Sequence, residues 1–169
     1  MQKTAFVFIA LLLGIISNGN AQVKQKENHL KTSKNMEHNF NEEQKKVFGT
    51  IQQMVAAFEK KDIDGVLETY EENAIVMFEP QQPVQGKENL RTFFTQFVSM
   101  NPKYTFGEHE VYIAENIATH IAPWHMVGSM PDGTKIEQNG LSVATLRKQP
   151  DGKWLMIQDN PHGQFSINK

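Results

Sequence analysis

The segment Asp159-Asn160-Pro161-His162-Gly163 carries side chains that could perform acid/base chemistry. It combines a carboxyl, an amide and an imidazole, and Pro161 and Gly163 indicate a turn. If Asp159 orients the His162 ring, the two side chains form a general acid/base pair, with Asn160 as a nearby ligand contact. The alternative is a structural turn in which Asp159 accepts hydrogen bonds from backbone N–H groups.

A second set of candidates is aromatic and would hold a ligand rather than react with it. These side chains fall on elements that are expected to surround one interior, where they form a ligand pocket or simply the hydrophobic core. They are Tyr70, Phe78, Phe94, Phe97 and Trp154.

Trp124 and His125 are further ligand-contact candidates, in the middle of a predicted strand. Adjacent strand residues point to opposite faces, so only one of the two side chains can face the interior. The same alternation separates His120 from His125, so this pair predicts no metal site. The alternative for a histidine in such a strand is a hydrogen-bonded structural residue.

The composition excludes several classes of function. The chain has no cysteine, which excludes a disulfide scaffold, a thiolate nucleophile and Cys-ligated metal sites. Its 17 Lys and Arg against 19 Asp and Glu leave a net charge of −2, without the basic excess typical of nucleic-acid binding proteins. Nucleophile-elbow, P-loop, dinucleotide-binding and His-Glu-x-x-His motifs do not occur, so we expect no metal and no other cofactor.

Residues 1–21 have the three parts of a secretory signal peptide. Lys3 supplies the positive charge, an unbroken run of apolar residues and glycine follows over 5–16, and small residues predict cleavage after Ala21. A membrane-spanning helix would need about 20 apolar residues, more than this run provides. We therefore expect an exported protein, periplasmic or secreted, with no membrane anchor after the signal is removed.

Residues 22–40 predict a flexible polar tether. Large apolar residues are few in this stretch, so it cannot bury enough surface to offset the entropy of ordering the chain. One domain is expected over 41–163, with a short tail over 164–169.

Three helices are predicted at the start of this domain. Asn41 and Gln44 form a capping box in front of an apolar stripe with helical spacing. A short second helix starts at Asp62 and extends its stripe to Tyr70, and a third starts at Gly86. The predicted buried stripe of the third helix is Leu90, Phe93, Phe94, Phe97 and Val98.

Strands are predicted over 74–78, 104–114, 117–130, 134–148 and 153–158, with a loop over 80–83. Helices followed by an antiparallel meander predict an α+β fold, in which three helices pack on a curved sheet and form a cone with an interior. The strand over 117–130 is apolar on both faces. This pattern predicts a homodimer that covers the outer face of the sheet.

A family resemblance rests on the order and spacing of three segments, VAAFEKKDIDGVLETYEENAIVMFEP, PVQGKENLRTFF and LRKQPDGKW. Residues 61–65 and Gly86 are its most specific parts. Over about residues 41–163 the chain resembles the NTF2-like superfamily, in particular its SnoaL-like and ketosteroid-isomerase-like members. The resemblance implies a cone-shaped α+β fold that is often dimeric. It does not decide the activity, because this fold carries isomerases, cyclases, hydrolases and non-catalytic binding modules.

The resemblance also implies a catalytic base. In ketosteroid isomerases the base lies just before a proline at the end of the first strand, and Glu79 before Pro80 matches that place. The family's two oxyanion donors, a tyrosine and a protonated aspartic acid, fall at Met54 and near Ala144, whose side chains cannot donate. The known isomerase mechanism is therefore not expected. The sequence leaves open whether Phe78 or Glu79 faces the cone.

Together these features predict an exported domain that holds a small, mostly apolar molecule in its cone. Glu79, Asp159 and His162 are the candidates for proton-transfer or hydrolytic chemistry on that molecule. The alternatives are a non-catalytic ligand-binding module and a protein-interaction module whose cone is filled by its own side chains.

Overall fold

The structure is a computed structural model and describes residues 39–130 and 132–166. The predicted signal peptide, nearly all of the predicted tether and the last three residues of the predicted tail lie outside these ranges. Within them, no helix is both long and apolar enough to cross a membrane.

Three helices precede most of the sheet, as predicted: α1 (Glu42–Lys60), α2 (Ile63–Leu67) and α3 (Lys87–Val98). The capping box at the start of α1 is present, because the Asn41 and Gln44 side chains each accept a hydrogen bond of 3.0 Å from the other's backbone N–H. Helix α1 ends at Lys60, because the next residue, Lys61, has a left-handed φ of 59° that stops the helix. The structure confirms the α+β class.

Helix α2 is shorter than the sequence predicts, and Tyr70 does not belong to it. The helix ends at Leu67, and the backbone carbonyl of Thr69 already accepts a hydrogen bond of 2.9 Å from Met156 of the last strand. Tyr70 therefore starts a strand, and its side chain is fully buried. The apolar spacing from Ile63 to Tyr70 is typical of a helix, so the sequence predicted one there. Hydrogen bonding to the sheet, which depends on distant residues, instead places Tyr70 in a strand.

Seven strands form one curved, unclosed sheet. Their order is β2-β1-β7-β6-β5-β3, and β4 also pairs with β5. The pairing of β1 with β7 is parallel, and the other pairings are antiparallel. The strands are β1 (Tyr70–Glu79), β2 (Gln82–Gln85), β3 (Lys103–Phe106), β4 (Glu110–Ala114), β5 (Ile117–Ser129), β6 (Lys135–Lys148) and β7 (Trp154–Asn160).

Two predicted segments differ from this sheet. The predicted loop over 80–83 contains the start of β2, which pairs back on β1 as a hairpin. The single strand predicted over 104–114 is two strands, β3 and β4, because residues 107–109 leave the ladder before the chain pairs again with β5. Both pieces still pair with the same strand, so the topology of the meander is preserved.

Side chains along β5 alternate between the inside of the cone and the outer face of the sheet. The residues at even positions from Ala118 to Met126 are buried, whereas those at odd positions are half-buried or exposed. Helices α1 and α3 cover the concave face, and their apolar side chains join those of the sheet in one core. Phe93 was predicted to be buried with the other apolar residues of α3, but it is 40% exposed.

Candidate functional site

A cavity of about 160 Å³ lies inside the cone, between the concave face of the sheet and helices α1 and α3. Most of its walls are aromatic or aliphatic. The polar and acidic side chains that line it are Tyr70, Glu79, Tyr104, Gln138, Ser142, Asp159 and His162. The apolar lining residues are Ile51, Met54, Val55, Phe58, Val76, Phe78, Phe94, Phe97, Phe106, Trp124, Met126 and Pro161.

Asp159 reaches the cavity because strand β7 contains a bulge. Trp154 and Met156 point inward, so strict alternation would turn Asp159 to the outer face of the sheet. The pairing of β7 with β6 leaves Ile157 as an extra residue. A bulge of this kind reverses the alternation beyond it, and Asp159 consequently lies opposite the buried Ala144, inside the cone.

The Asp159 carboxyl forms a buried pair with the Tyr70 phenol. The Tyr70 hydroxyl donates a hydrogen bond of 2.8 Å to Asp159 Oδ2, and the two residues are 0% and 9% exposed. Burial raises the pKa of the Asp159 carboxyl, although the hydrogen bond from Tyr70 works against that rise. Burial and the charge of Asp159 raise the pKa of Tyr70 well above its usual value, so the phenol stays protonated.

Tyr104 brings a second phenol to the cavity wall from strand β3. Burial, and next the charge of Asp159, raise the pKa of its hydroxyl, which therefore remains a hydrogen-bond donor at neutral pH. Its ring packs edge-on against Trp124, with the ring centroids 6.1 Å apart. Tyr104 can thus donate to a polar group that a ligand places near Asp159.

The turn after β7 is held to two other strands. The indole Nε1 of Trp124 donates to the Pro161 carbonyl at 2.8 Å, and the Asn160 side chain accepts from the His162 backbone N–H at 3.0 Å. The His162 ring donates through Nε2 to the Phe78 carbonyl at 3.0 Å. His162 does line the cavity, but Tyr70 rather than His162 is the hydrogen-bond partner of Asp159.

Strand β1 turns Phe78 inward and leaves Glu79 at the mouth of the cone. Ala74 and Val76 are buried, and Phe78 continues their inward alternation. Glu79 also borders the cavity but is exposed to solvent. The Phe78 ring stacks on Phe93, with the ring centroids 4.8 Å apart. The structure therefore places both side chains at the cavity, and it makes Asp159 rather than Glu79 the buried carboxyl.

Three of the predicted ligand contacts do not line the cavity within the described residues. His125 lies on the outer face, where its ring is 2.7 Å from Glu137, because Trp124 takes the inward position. Trp154 is buried against α1, and its indole Nε1 donates to Glu43 at 3.3 Å. Asn160 supports the turn instead. The predicted contacts Tyr70, Phe78, Phe94, Phe97 and Trp124 do line the cavity.

The Tyr70–Asp159 pair is the feature that sequence reasoning missed. Tyr70 was predicted to lie on the apolar stripe of the second helix. Regular alternation along β7 would turn Asp159 outward, and the bulge at Ile157 that turns it inward could not be anticipated from the sequence. The available signal was the acid near the end of a strand that begins with four apolar residues. Across residues 39–130 and 132–166, no cluster of three or more His, Asp or Glu side chains could hold a metal ion.

Solved structures share this fold at low sequence identity. A ketosteroid isomerase-like protein from Erwinia carotovora atroseptica is 21% identical, with a TM-score of 0.62 over 72% of this chain and 95% of that chain. An NTF2-like superfamily protein from Salmonella enterica is 13% identical, with a TM-score of 0.64 over 70% of this chain and 88% of that chain. These similarities show the NTF2-like fold.

No curated protein sequence matches the chain significantly. The model of a family described as the SnoaL-like domain, however, matches residues 51–156. This stretch runs from helix α1 to the middle of β7 and includes most residues that line the cavity. The chain therefore belongs to the SnoaL-like domain family.

Proposed function

We propose that the cone holds one small, mostly apolar molecule whose single polar group contacts the Tyr70–Asp159 pair. The size of the cavity supports this proposal. An apolar cavity of roughly 150 Å³ accommodates benzene, whereas pockets for drug-sized ligands measure about 300–1,000 Å³. A volume of about 160 Å³ suits one ring or a short branched chain.

The observation that carries the proposal is the position of Asp159. Its carboxyl borders a mostly apolar cavity, and among the described residues its hydrogen-bond donor is the Tyr70 hydroxyl, which occupies Oδ2. A buried carboxyl with one protein donor retains acceptor capacity. A ligand in the cavity can use that capacity, and the aromatic walls bury the rest of the molecule.

Native mass spectrometry of protein purified from its own host tests this proposal. We expect a retained small molecule on the wild-type protein and on Thr105→Phe, which adds a ring on the outer face. Ser142→Phe fills the cavity from its wall and should lose the molecule. Retention by folded Ser142→Phe, or no retained molecule on any of the proteins, contradicts the proposal.

A second candidate function is proton transfer on the bound molecule, as in an isomerase. It is favoured by the raised pKa of Asp159, since a carboxyl whose pKa is raised by burial accepts a proton more readily and can return it. In this mechanism Asp159 takes a proton from a carbon beside a carbonyl, which leaves an enolate, and returns it to the same carbon or, where a C=C bond adjoins that carbon, to the far carbon of that double bond. The Tyr104 hydroxyl donates to the carbonyl oxygen and stabilises the negative charge that develops there.

Exchange of solvent deuterium into a bound ketone distinguishes this candidate from binding alone. The wild-type protein should catalyse exchange, and Asp159→Asn should bind the ketone while losing at least 100-fold in exchange rate. Glu115→Gln removes one exposed carboxylate in the β4–β5 turn and should exchange at the wild-type rate. Equal exchange rates in Asp159→Asn and wild type would rule Asp159 out as the base.

We further propose that the protein is exported and forms a homodimer through the outer face of the sheet. Support for the dimer comes from exposed apolar residues on this face, such as Tyr112 at 59% and Val127 at 43% exposure. Light scattering should give a dimer mass for wild type and for Gln53→Lys on α1, and a monomer mass for Ile121→Lys. N-terminal sequencing of exported protein should begin at Gln22, and an intact Met1 contradicts export.

A further inference from the structure

The charges around the cavity are unbalanced. Two carboxyl groups border it, Asp159 in the wall and Glu79 at the mouth, and among the described lining residues there is no Lys or Arg. The basic side chain among these described lining residues is His162, and its ring donates to the Phe78 carbonyl. A carboxylate buried to this degree normally has a cationic partner or several donors, because leaving water is costly for a charge.

The walls of the cavity offer what an organic cation needs besides a carboxylate. Eight aromatic side chains line the cavity, among them Trp124, Tyr104 and Phe94. The face of an aromatic ring carries partial negative charge and attracts a cation within about 6 Å of its centre. A neutral apolar molecule gains nothing from this property, whereas an ammonium group gains from the rings and from the carboxylate together.

We propose that the ligand of the cone is a small organic cation, a protonated amine whose ammonium group pairs with Asp159 while its hydrocarbon part packs on the aromatic walls. This inference rests on the proposed binding function and specifies the chemical class of its ligand. An anionic molecule of the same shape would face Asp159 and Glu79 without a compensating Lys or Arg in the described lining.

The groups that face Asp159 agree with this class of ligand. Tyr70 on β1 and Tyr104 on β3 are neutral phenols, and Glu79 adds negative charge at the mouth. His162, after β7, lowers the pKa of Asp159 through its positive charge, and the same charge opposes the cation. The amine should therefore lose affinity at lower pH, where Asp159 becomes protonated and neutral.

Three probes of one ring size test the inference by calorimetry: benzylamine, which is protonated at pH 7, benzyl alcohol, which is neutral, and benzoate, which is anionic. Wild-type protein at pH 7 should bind benzylammonium at least tenfold more tightly than benzyl alcohol, and benzoate more weakly than both. Because this comparison uses wild-type protein, it does not depend on the folding of a variant.

Asp159→Asn provides the matched substitution. It should lose the tenfold preference for benzylammonium over benzyl alcohol, because the carboxylate that pairs with the ammonium group is gone. Glu115→Gln removes the same charge from an exposed turn and should keep the preference. Circular dichroism of each variant confirms that the fold is intact.

The outcomes separate this inference from the proposed function. Equal or tighter binding of benzyl alcohol by wild type overturns the cation inference and leaves the cone as a site for neutral molecules. Preferential binding of benzoate also overturns it. If none of the three probes binds, both the inference and the proposed binding function fail.

Discussion

Two pairs of polar side chains are buried in this protein at nearly the same separation, and their surroundings differ. Tyr70 and Asp159 are 2.8 Å apart and border the cavity. His109 Nδ1 and His120 Nε2 are 2.9 Å apart, and neither residue lines it. The histidines are enclosed by aromatic rings instead, with the Phe48 centroid 4.6 Å from that of His109.

This difference distinguishes a binding site from a structural contact. The histidine pair lies in the packed layer between α1 and the sheet, where burial lowers the pKa of His109 to about 4 and that of His120 to about 3. His120 Nδ1 is buried and has no hydrogen-bond partner among the described residues. The pair is therefore neutral at pH 7 and contributes packing, whereas the cavity leaves Asp159 accessible to a ligand.

The two pairs should shift stability with pH in opposite directions, and this is the largest effect that we expect. Each histidine binds a proton near pH 6.5 when unfolded but only near pH 4 or 3 when folded. Protons then favour the unfolded chain, and stability falls by up to about 1.4 kcal/mol per pH unit for each histidine as the pH drops below 6.5. Asp159 has the opposite sign, since its raised pKa lets the folded state hold the proton more tightly than the unfolded state does.

Urea unfolding between pH 7 and 4.5 measures this dependence. The free energy of unfolding of the wild-type protein should fall from pH 7 to pH 4.5, and that of His120→Gln should fall by a smaller amount. Asp159→Asn should show a steeper loss of stability than wild type, because a carboxyl whose protonation favours the folded state is gone. A wild-type free energy of unfolding that is flat or rises toward pH 4.5 contradicts the neutral histidine pair.

Removal of one histidine should cost stability without affecting the cavity. His120→Ala leaves a void behind α1 and takes away the partner of His109 Nδ1, so the free energy of unfolding should fall by about 3 kcal/mol. His125→Ala on the outer face of the same strand is the matched control and should cost less than about 1 kcal/mol. Affinity for benzyl alcohol should stay within threefold in both variants, and a large loss in His120→Ala alone would show that the two regions are coupled.

Much of the fold could be predicted from the sequence because its patterns are local. The capping box at Asn41 and Gln44, the apolar stripe of α1 and the glycine before α3 depend on neighbours a few residues apart. The alternation of side chains along β5 likewise predicted that Trp124 and His125 lie on opposite faces of the sheet. It left open which of the two side chains faces the interior. Errors arose where a long-range contact decided the outcome, as when pairing with β7 drew Tyr70 out of the predicted helix.

The candidate site was harder to predict for the same reason. A bulge at Ile157 turns Asp159 inward, and its existence depends on how β7 pairs with β6. The contact between Tyr70 and Asp159 spans 89 positions of sequence, and no local pattern reports it. The contact between His109 and His120 was not predicted either. His109 lies between β3 and β4, in a segment that was predicted to be part of one continuous strand.

Loss of the Tyr70 hydroxyl should have a moderate effect confined to the cavity. Tyr70→Phe keeps the ring but removes the donor to Asp159 Oδ2, which should cost about 1 kcal/mol of stability and raise the pKa of the carboxyl further. Benzylammonium should bind about threefold to tenfold more weakly. Tyr112→Phe removes an exposed hydroxyl that donates to Glu110 and should change neither stability nor affinity measurably. Wild-type affinity and stability in Tyr70→Phe would show that the pair does not support ligand binding.

The smallest effect is expected at the mouth of the cone. Glu79 is exposed and lies beyond the inward-facing Phe78, so a charge there is screened by water and salt. Glu79→Gln should change the free energy of unfolding by less than about 0.5 kcal/mol and weaken benzylammonium binding by less than threefold. Calorimetry at low and high salt measures both the size of this change and its screening. A tenfold or greater loss that persists at high salt would move the anchoring role from Asp159 in the wall to Glu79 at the rim, because only a carboxylate in direct contact with the ligand resists screening to that degree.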